Sequence, residues 1–154
     1  MMRVWRIYDR RYAASAFDGE GARLYGGRWN SAGVSMVYTA ASPSLAALEV
    51  FVHLDPEEVP DGLLLGALDL PDDASLQSVS PQDLPADWRS FPAPEALRRL
   101  GDQWAQGGAS LLLAVPSAVI PEENNYLINP CHPEFHAVRP AATRPFTFDP
   151  RLWK

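Results

Sequence analysis

The sequence of 154 residues has little cysteine, little positive charge and no long apolar run. Its single cysteine, Cys131, allows neither an internal disulfide nor a multi-cysteine metal site, which is typical of a reducing compartment. Thirteen basic residues against 19 acidic ones give a net charge of -6, which disfavours direct nucleic-acid binding. The longest apolar runs, 63–65 and 111–115, are too short to cross a membrane. The first residues lack the apolar stretch of a signal peptide, so we expect a cytoplasmic protein.

The composition that is present indicates one ordinary globular domain. Hydrophobic residues make up 47% of the chain and charged residues 21%. Fifteen prolines, about twice the usual rate, imply many loops and exclude a helix bundle. We therefore predict a single domain over 1–154, with a proline-rich loop excursion at about 71–94.

The pattern of apolar residues predicts about six strands and two helices in mixed order, which is the α+β class. The expected strands are 4–8, 34–39, 63–70, 110–115, 135–138 and 146–148. One helix is expected at 43–53, with Ser42 as its N-cap, and a second at 94–106. The polar segments 9–33 and 116–133 are expected to be loops.

Glu49 is the most informative residue, because the predicted helix around it is apolar on nearly every side. A helix that is apolar all round is a buried helix, and an unpaired carboxylate is costly there. Such a group has either a partner or a task. The alternative is a glutamate on a narrow solvent-facing strip at the edge of the helix.

The stretch YGGRWN at 25–30 places Arg28 directly after two glycines. Glycines permit a close approach of a ligand to the backbone, and the planar fork of arginine suits phosphate oxygens. The stretch therefore predicts a pyrophosphate site, with a tight turn and a surface arginine as the alternative.

A third polar cluster follows the apolar strand predicted at 110–115. Ser117 lies directly after that strand, where site residues are often placed. Asn125 and Asn129 either bind a substrate or stabilise their loop through Asx turns. The chain has no G-x-S-x-G motif around Ser117, which disfavours a serine hydrolase.

Three neighbouring pairs are expected to have no chemical role: His132 and His136, Glu122 and Glu123, and Arg98 and Arg99. The strand predicted at 135–138 keeps the two histidines off one helix face, so no metal site is expected. Adjacent carboxylates do not normally flank one sugar, and the two arginines are assigned to a solvated helix face.

Together these motifs resemble the RES domain family, which is named for an arginine, a glutamate and a serine in that order. Here they would be Arg28 in GGRWN, Glu49 in SLAALE and Ser117 in VPS. The resemblance extends to VYTA, NYLINPCHP and FDPRL, and it covers nearly the whole chain. The segment 55–105 carries no match.

The resemblance implies a fold similar to that of ADP-ribosyltransferases, with mixed sheets and a few helices. It implies the toxin of a type II toxin–antitoxin system, with NAD as a consumed substrate and no resident cofactor. Such a toxin would deplete NAD by cleaving the nicotinamide–ribose bond, as a glycohydrolase or phosphorylase. The alternative is transfer of ADP-ribose to a host protein. The implied partner is an Xre-type helix-turn-helix antitoxin, which would contact DNA in place of this acidic chain.

If the resemblance holds, Glu49 would stabilise the cation that develops on the ribose. Arg28 would hold the pyrophosphate, and Arg6, on the first strand, is a second candidate. The Rossmann fingerprint G-x-G-x-x-G is absent, which is consistent with NAD being consumed and not used as a hydride carrier.

Four more residues complete the expected site. Tyr38 would stack on nicotinamide or fix its orientation, and Tyr8 shares a strand face with Arg6. Ser117 and Asn125 would position the ribose or Glu49 by hydrogen bonds. A binding module without catalysis is the alternative from another functional class.

Overall fold

The computed structural model describes residues 2–153, and this part of the chain forms seven strands, three α-helices and four 3-10 helices. The strands are β1 (Met2–Asp9), β2 (Val37–Ala40), β3 (Leu63–Leu70), β4 (Leu76–Ser78), β5 (Leu112–Pro116), β6 (Asn124–Ile128) and β7 (Arg139–Phe146). The α-helices are α1 (Glu20–Tyr25), α2 (Pro43–Phe51) and α3 (Glu95–Gly107), and the 3-10 helices are Arg10–Ser15, Pro81–Asp83, Pro133–Ala137 and Pro150–Trp153. The predicted α+β class is confirmed.

All seven strands form one mixed sheet in the order β4-β5-β6-β2-β1-β3-β7. The pairing between β1 and β2 is the shortest in the sheet. Strand β1 pairs with β3 along all eight of its residues. It pairs with β2 at one position, where Trp5 lies opposite Ala40. Beyond that position the Arg6 side chain replaces the missing backbone pairing, because its Nη1 donates to the Tyr38 carbonyl at 3.0 Å. Strands β1 and β2 therefore separate beyond Trp5, and the side chains of Arg6, Tyr38 and Asn125 line the cavity there.

Helix α2 begins where the sequence predicts, because the Ser42 hydroxyl accepts a hydrogen bond from the Leu45 N–H at 3.1 Å and Pro43 occupies the first turn. The helix is not buried on every side, which corrects the prediction. Leu45 is fully buried, whereas Leu48 and Val52 expose 38% and 54% of their surface. Both sides of the helix are apolar, so polarity alone did not distinguish the inner side from the outer one.

Buried apolar residues fill both faces of the sheet. One face carries a cluster that includes Val4, Val37, Leu68, Leu112 and Ile128. On the other face, one cluster packs around α3 and another around α2; they include Trp29, Met36, Leu97, Trp104 and Leu127, and Ile7, Leu45, Leu65 and Phe148, respectively. Among the described residues, no helix combines the length and apolar character that a membrane crossing requires.

Helix α3 fixes the segment that follows α1. Gly101 allows direct backbone contact, since a Cβ there would lie only 1.7 Å from the Trp29 carbonyl oxygen. One residue later, Asp102 Oδ1 accepts a hydrogen bond from the Ser31 N–H at 2.8 Å. The helix thereby holds the backbone on both sides of Asn30.

Several predicted loops contain regular structure. The segment 9–33 contains a 3-10 helix and α1, and the segment 116–133 contains the whole of β6. The excursion 71–94 contains a 3-10 helix and the short strand β4, which pairs in parallel with β5. Strand β6 was missed because its first half, Asn124–Asn125, is polar and lies at the edge of the sheet core.

The strand predicted at 135–138 is wrong, because the 3-10 helix Pro133–Ala137 occupies that stretch. Pro133 takes the first helical position, and the His132 Nδ1 accepts a hydrogen bond from the Glu134 N–H at 3.0 Å. The final strand lies mostly before 146–148, as β7.

Candidate active site

The carboxylate of Glu49 is held by two side chains from the far half of the chain. Its Oε1 accepts hydrogen bonds from Ser117 Oγ at 2.7 Å and from Asn125 Nδ2 at 2.8 Å. Glu49 lies on α2, Asn125 lies on β6, and Ser117 directly follows β5. No described residue donates a hydrogen bond to Glu49 Oε2. One carboxylate oxygen is therefore fixed, and the other is available to a ligand.

Ser117 acts on Glu49 and not on the cleft, because its side chain is completely buried. Its Oγ also accepts hydrogen bonds from the backbone N–H groups of Val119 and Ile120, both at 3.1 Å. These two bonds orient the hydroxyl so that its own proton points to Glu49. Ser117 is thus a positioning residue.

Two buried polar atoms beside Glu49 have no hydrogen-bond partner among the described residues: Asn125 Oδ1 and Arg6 Nε. Leaving a buried polar atom unpaired costs about 1–3 kcal/mol, so such atoms are uncommon in folded proteins. One of these atoms is an acceptor and the other a donor, and both residues line the cleft that contains Glu49. Burial lowers the pKa of Arg6, opposed by the nearby Tyr38 and Tyr8, yet an arginine stays cationic at neutral pH.

Arg28 is attached to the proline-rich excursion, which the sequence did not predict. Its Nη1 donates to the carbonyl oxygens of Trp88 at 2.9 Å and Ser90 at 3.1 Å. Burial lowers the pKa of the Arg28 guanidinium, and the negative charge of Glu49 acts in the opposite direction. The Nη2 and Nε groups make no hydrogen bond within the described chain. They are free to contact a bound anion.

Tyr38 fixes the shape of the glycine-containing turn at 25–30. Its hydroxyl donates to Asn30 Oδ1 at 2.6 Å and accepts from the Trp29 N–H at 2.9 Å. Gly27 is required for this contact, since a Cβ there would lie 2.7 Å from the Tyr38 hydroxyl oxygen. Burial raises the pKa of Tyr38, so the hydroxyl stays protonated. Only the ring of Tyr38 is therefore available to a ligand.

Six of the seven expected site residues line one cleft of 730 Å³: Arg6, Tyr8, Arg28, Tyr38, Glu49 and Asn125. An adjoining cavity of 380 Å³ shares four of them and adds apolar side chains that include Trp5, Val50 and Leu54. These volumes are typical of small-molecule sites. At the cleft, the ring of Tyr8 packs edge-to-face against Phe17, with 5.5 Å between the ring centroids.

Two cavity-lining residues, His53 and Phe91, were not expected from the sequence. His53 lines both cavities described above and a third of 560 Å³. It follows Glu49 by four residues, so helical spacing would have placed the two on one face. Phe91 lines the third cavity, exposes 78% of its surface and lies 5.6 Å from the His53 ring. Phe91 sits in the excursion and carries no sequence signal.

Arg98 also differs from its prediction. It is half-buried, its Nη1 donates to the Ala93 carbonyl at 3.0 Å, and it lines the third cavity. Its neighbour Arg99 is solvated as predicted, and it lies 3.5 Å from Glu95 one turn earlier. The two arginines therefore have different environments.

The other polar groupings lie outside these cavities. Glu122 and Glu123 are exposed in the turn before β6. The side chain of His132 caps a 3-10 helix. Within residues 2–153, no group of three or more His, Cys, Asp or Glu side chains is arranged to hold a metal ion.

Comparison with known proteins gives one consistent result. The RES domain model matches residues 3–149. The "Prs ADP-ribosylating toxin" of Sphingobium sp. (strain YBL2) is 41% identical over 152 residues, covering 96% of this chain and 94% of the relative. The "Toxin Res" of Yersinia enterocolitica is 42% identical over 155 residues, covering 98% and 99%.

A solved structure shares the fold. A chain of the M. tuberculosis MbcT-MbcA toxin-antitoxin complex superposes with a TM-score of 0.74 at 19% identity. The match covers 99% of this chain and 86% of that one. The family match over nearly the full length, together with relatives above 40% identity, establishes that this chain belongs to the RES domain family.

Proposed function

We propose that this protein is the toxin of a toxin–antitoxin system and that it consumes NAD by cleaving the bond between nicotinamide and ribose. The observation that carries the proposal is the Glu49 carboxylate, fixed by Ser117 and Asn125 at the wall of a cleft that Arg6 and Arg28 also line. The names of the relatives, "Toxin Res" and "Prs ADP-ribosylating toxin", support it.

The bond to be broken determines what the site must supply. The nicotinamide ring of NAD already carries a positive charge and becomes neutral as it leaves, so its departure needs no general acid. Positive charge then develops on the ribose, as in other glycosidic cleavages. A carboxylate fixed beside that charge lowers the barrier without having to reorganise. Glu49 meets this requirement, since Oε1 is held and Oε2 is left to contact the ribose.

The remaining cleft residues would bind the rest of the dinucleotide. Neither Arg6 nor Arg28 has a carboxylate within ion-pair distance in the described structure, and both keep unpaired guanidinium nitrogens. Arginines in this state form charge-assisted hydrogen bonds with a pyrophosphate. The buried Asn125 Oδ1 would accept a hydrogen bond from the substrate.

Product analysis by mass after incubation with NAD, with and without phosphate, tests the reaction. We expect the wild-type protein to release nicotinamide and Glu49→Gln to lose about 100-fold or more of that rate. Glutamine can still accept hydrogen bonds from Ser117 and Asn125, so this variant removes the charge and keeps the geometry. Glu122→Gln is the matched control, because that side chain is exposed and bonds to no described residue. Intact NAD in the presence of water, phosphate and cell extract would refute the proposal.

The second candidate is transfer of ADP-ribose to a host protein, and the name of the Sphingobium relative favours it. Both reactions use the same donor site and differ only in the acceptor. Incubation of labelled NAD with cell extract separates them. Transfer leaves the label on a protein band, whereas hydrolysis and phosphorolysis leave it on free ADP-ribose or its phosphate.

We also propose a helix-turn-helix antitoxin of the Xre type as the partner, in the cytoplasm. The structural neighbour belongs to a toxin-antitoxin complex. Because this chain has a net charge of -6, which disfavours binding to DNA, we expect the antitoxin to make the DNA contacts. Co-expression with the antitoxin is expected to restore growth. Toxicity that persists beside a soluble, bound antitoxin would contradict this part of the proposal.

A further inference from the structure

The 560 Å³ cavity beside the cleft is basic, although the chain as a whole is acidic. It lies between the excursion residues 91–93, the turn after α1 and the first turns of α3. Two arginines, Arg28 and Arg98, line it, and no described carboxylate does. Asp102, one turn after Arg98, is not part of the lining, and its Oδ1 accepts a hydrogen bond from the Ser31 N–H.

These two arginines differ from those that form ion pairs. Ion pairs neutralise Arg3, Arg11, Arg23, Arg99 and Arg151. In contrast, Arg28 and Arg98 donate only through Nη1, and only to backbone carbonyls. Each keeps its Nη2 and Nε without a partner among the described residues. Two like charges that share one cavity repel each other, and a bound anion would remove that cost.

Two aromatic rings flank the same cavity and are unusually exposed. Tyr25 exposes 84% of its surface and Phe91 exposes 78%. The backbone of Gly26 and Gly27 forms the wall between Tyr25 and Arg28. Arg28 and His53 also line the cleft of Glu49, so the cavity and the cleft adjoin.

We propose that this cavity is a phosphate-binding subsite in which Arg28 and Arg98 hold one phosphate group between them. The planar forks of two guanidinium groups match phosphate oxygens. The cleft of Glu49 also contains two arginines, Arg6 and Arg28, but carboxylates line that cleft as well. Two ligands carry this chemistry. One is the pyrophosphate of the dinucleotide, and the other is inorganic phosphate as the acceptor. Both assignments rest on the proposed function, whereas the binding of phosphate does not depend on it.

Binding measurements on the Glu49→Gln protein test the subsite without turnover. Isothermal titration with inorganic phosphate, and separately with ADP-ribose, gives two affinities. Arg98→Gln is expected to weaken at least one of them by about 10- to 100-fold, the usual worth of a hydrogen bond to a charged group. Arg99→Gln is the matched control, since it removes the adjacent, solvated arginine, and it is expected to leave both affinities unchanged.

A second variant guards against misfolding of the first. Ala32 is exposed at the lining, so Ala32→Asp places a carboxylate in the cavity without disturbing the core. It is expected to weaken the same ligand as Arg98→Gln does. Loss confined to ADP-ribose assigns the subsite to the pyrophosphate, and loss for inorganic phosphate assigns it to the acceptor. The proposal is overturned if neither ligand binds, or if Arg98→Gln and Ala32→Asp bind both as tightly as Arg99→Gln.

These outcomes are separate from the reaction itself. A protein that binds phosphate through Arg98 but leaves NAD intact would retain the subsite and refute the proposed function. If the protein cleaves NAD, but Arg98→Gln and Arg99→Gln bind phosphate and ADP-ribose equally well, the proposed function stands and the subsite is refuted.

Discussion

Ser117→Ala removes three hydrogen bonds at once from a fully buried position. The hydroxyl donates one bond to Glu49 and accepts two from the backbone N–H groups of Val119 and Ile120. A bond to a charged group contributes about 1.5–3 kcal/mol, and a donor left unpaired costs about 1–3 kcal/mol when it is buried. Val119 and Ile120 are only half-buried, so water replaces part of that loss. We expect a net destabilisation of about 2–4 kcal/mol, which lowers Tm by about 5–15 °C in a domain of this size.

The same variant is expected to slow nicotinamide release by about 10- to 100-fold, because Asn125 alone would orient the carboxylate of Glu49. Thermal unfolding followed by circular dichroism gives the first effect, and initial rates at a temperature where both proteins are folded give the second. Ser44→Ala is the matched control, since Ser44 lies exposed on α2, the helix of Glu49, and its hydroxyl bonds to no described residue. A Ser117→Ala protein with the Tm and rate of Ser44→Ala would refute the assigned role of this serine.

Two further variants test the turn and the surface. Gly27→Ala would place a Cβ 2.7 Å from the Tyr38 hydroxyl, so we expect the free energy of unfolding in urea to fall by about 1–3 kcal/mol. Gly21→Ala is the control, because a Cβ there would meet open space and is expected to cost no stability. Equal stability of the two variants would contradict this packing. Arg3 lowers the pKa of Asp69 by hydrogen bonding and by its charge. The ion pair therefore adds its full stability above the pKa of an aspartate in the unfolded chain, about 3.9, and loses it as the pH falls through the lower pKa of Asp69 in the folded protein. The Tm difference between wild type and Arg3→Gln should therefore shrink in acid, and a difference independent of pH would refute it.

The elements that the sequence predicted well have local causes. The start of α2 follows from Ser42 and Pro43, which act within one turn. Strand β3 occupies the predicted 63–70 because it is apolar apart from Asp69 and lies between two other strands. Helix α3 ends at Gly107, one residue after the predicted end at 106, because Gly108 adopts the left-handed conformation that closes a helix.

The errors arise where distant contacts decide the structure. Strand β6 begins with two asparagines, and its pairing with β2 and β5 is invisible in its own sequence. The exposed side of α2 is as apolar as its buried side, so its orientation depends on what it packs against. At the site, residue type and order indicated Glu49, Ser117 and Asn125, and Glu49 accepts a hydrogen bond from each of the other two.

The role of the excursion was beyond prediction for the same reason. The carbonyl groups of Trp88 and Ser90 bind Arg28, and any residue type supplies a carbonyl. Arg98 and Arg99 are adjacent residues of the same type, and only the orientation of α3 places Arg98, and not Arg99, at the cavity. Contacts made through the backbone, or set by the rotation of a helix, leave no signature in composition.

Parallel time courses of nicotinamide release by the wild-type and Glu49→Gln proteins test the central claim most directly. We expect continuous release by the wild type and a rate about 100-fold or more lower for the variant, measured at a temperature where both proteins are folded. Equal rates for the two proteins would contradict it, because the charge on this one carboxylate would then contribute nothing to the departure of nicotinamide.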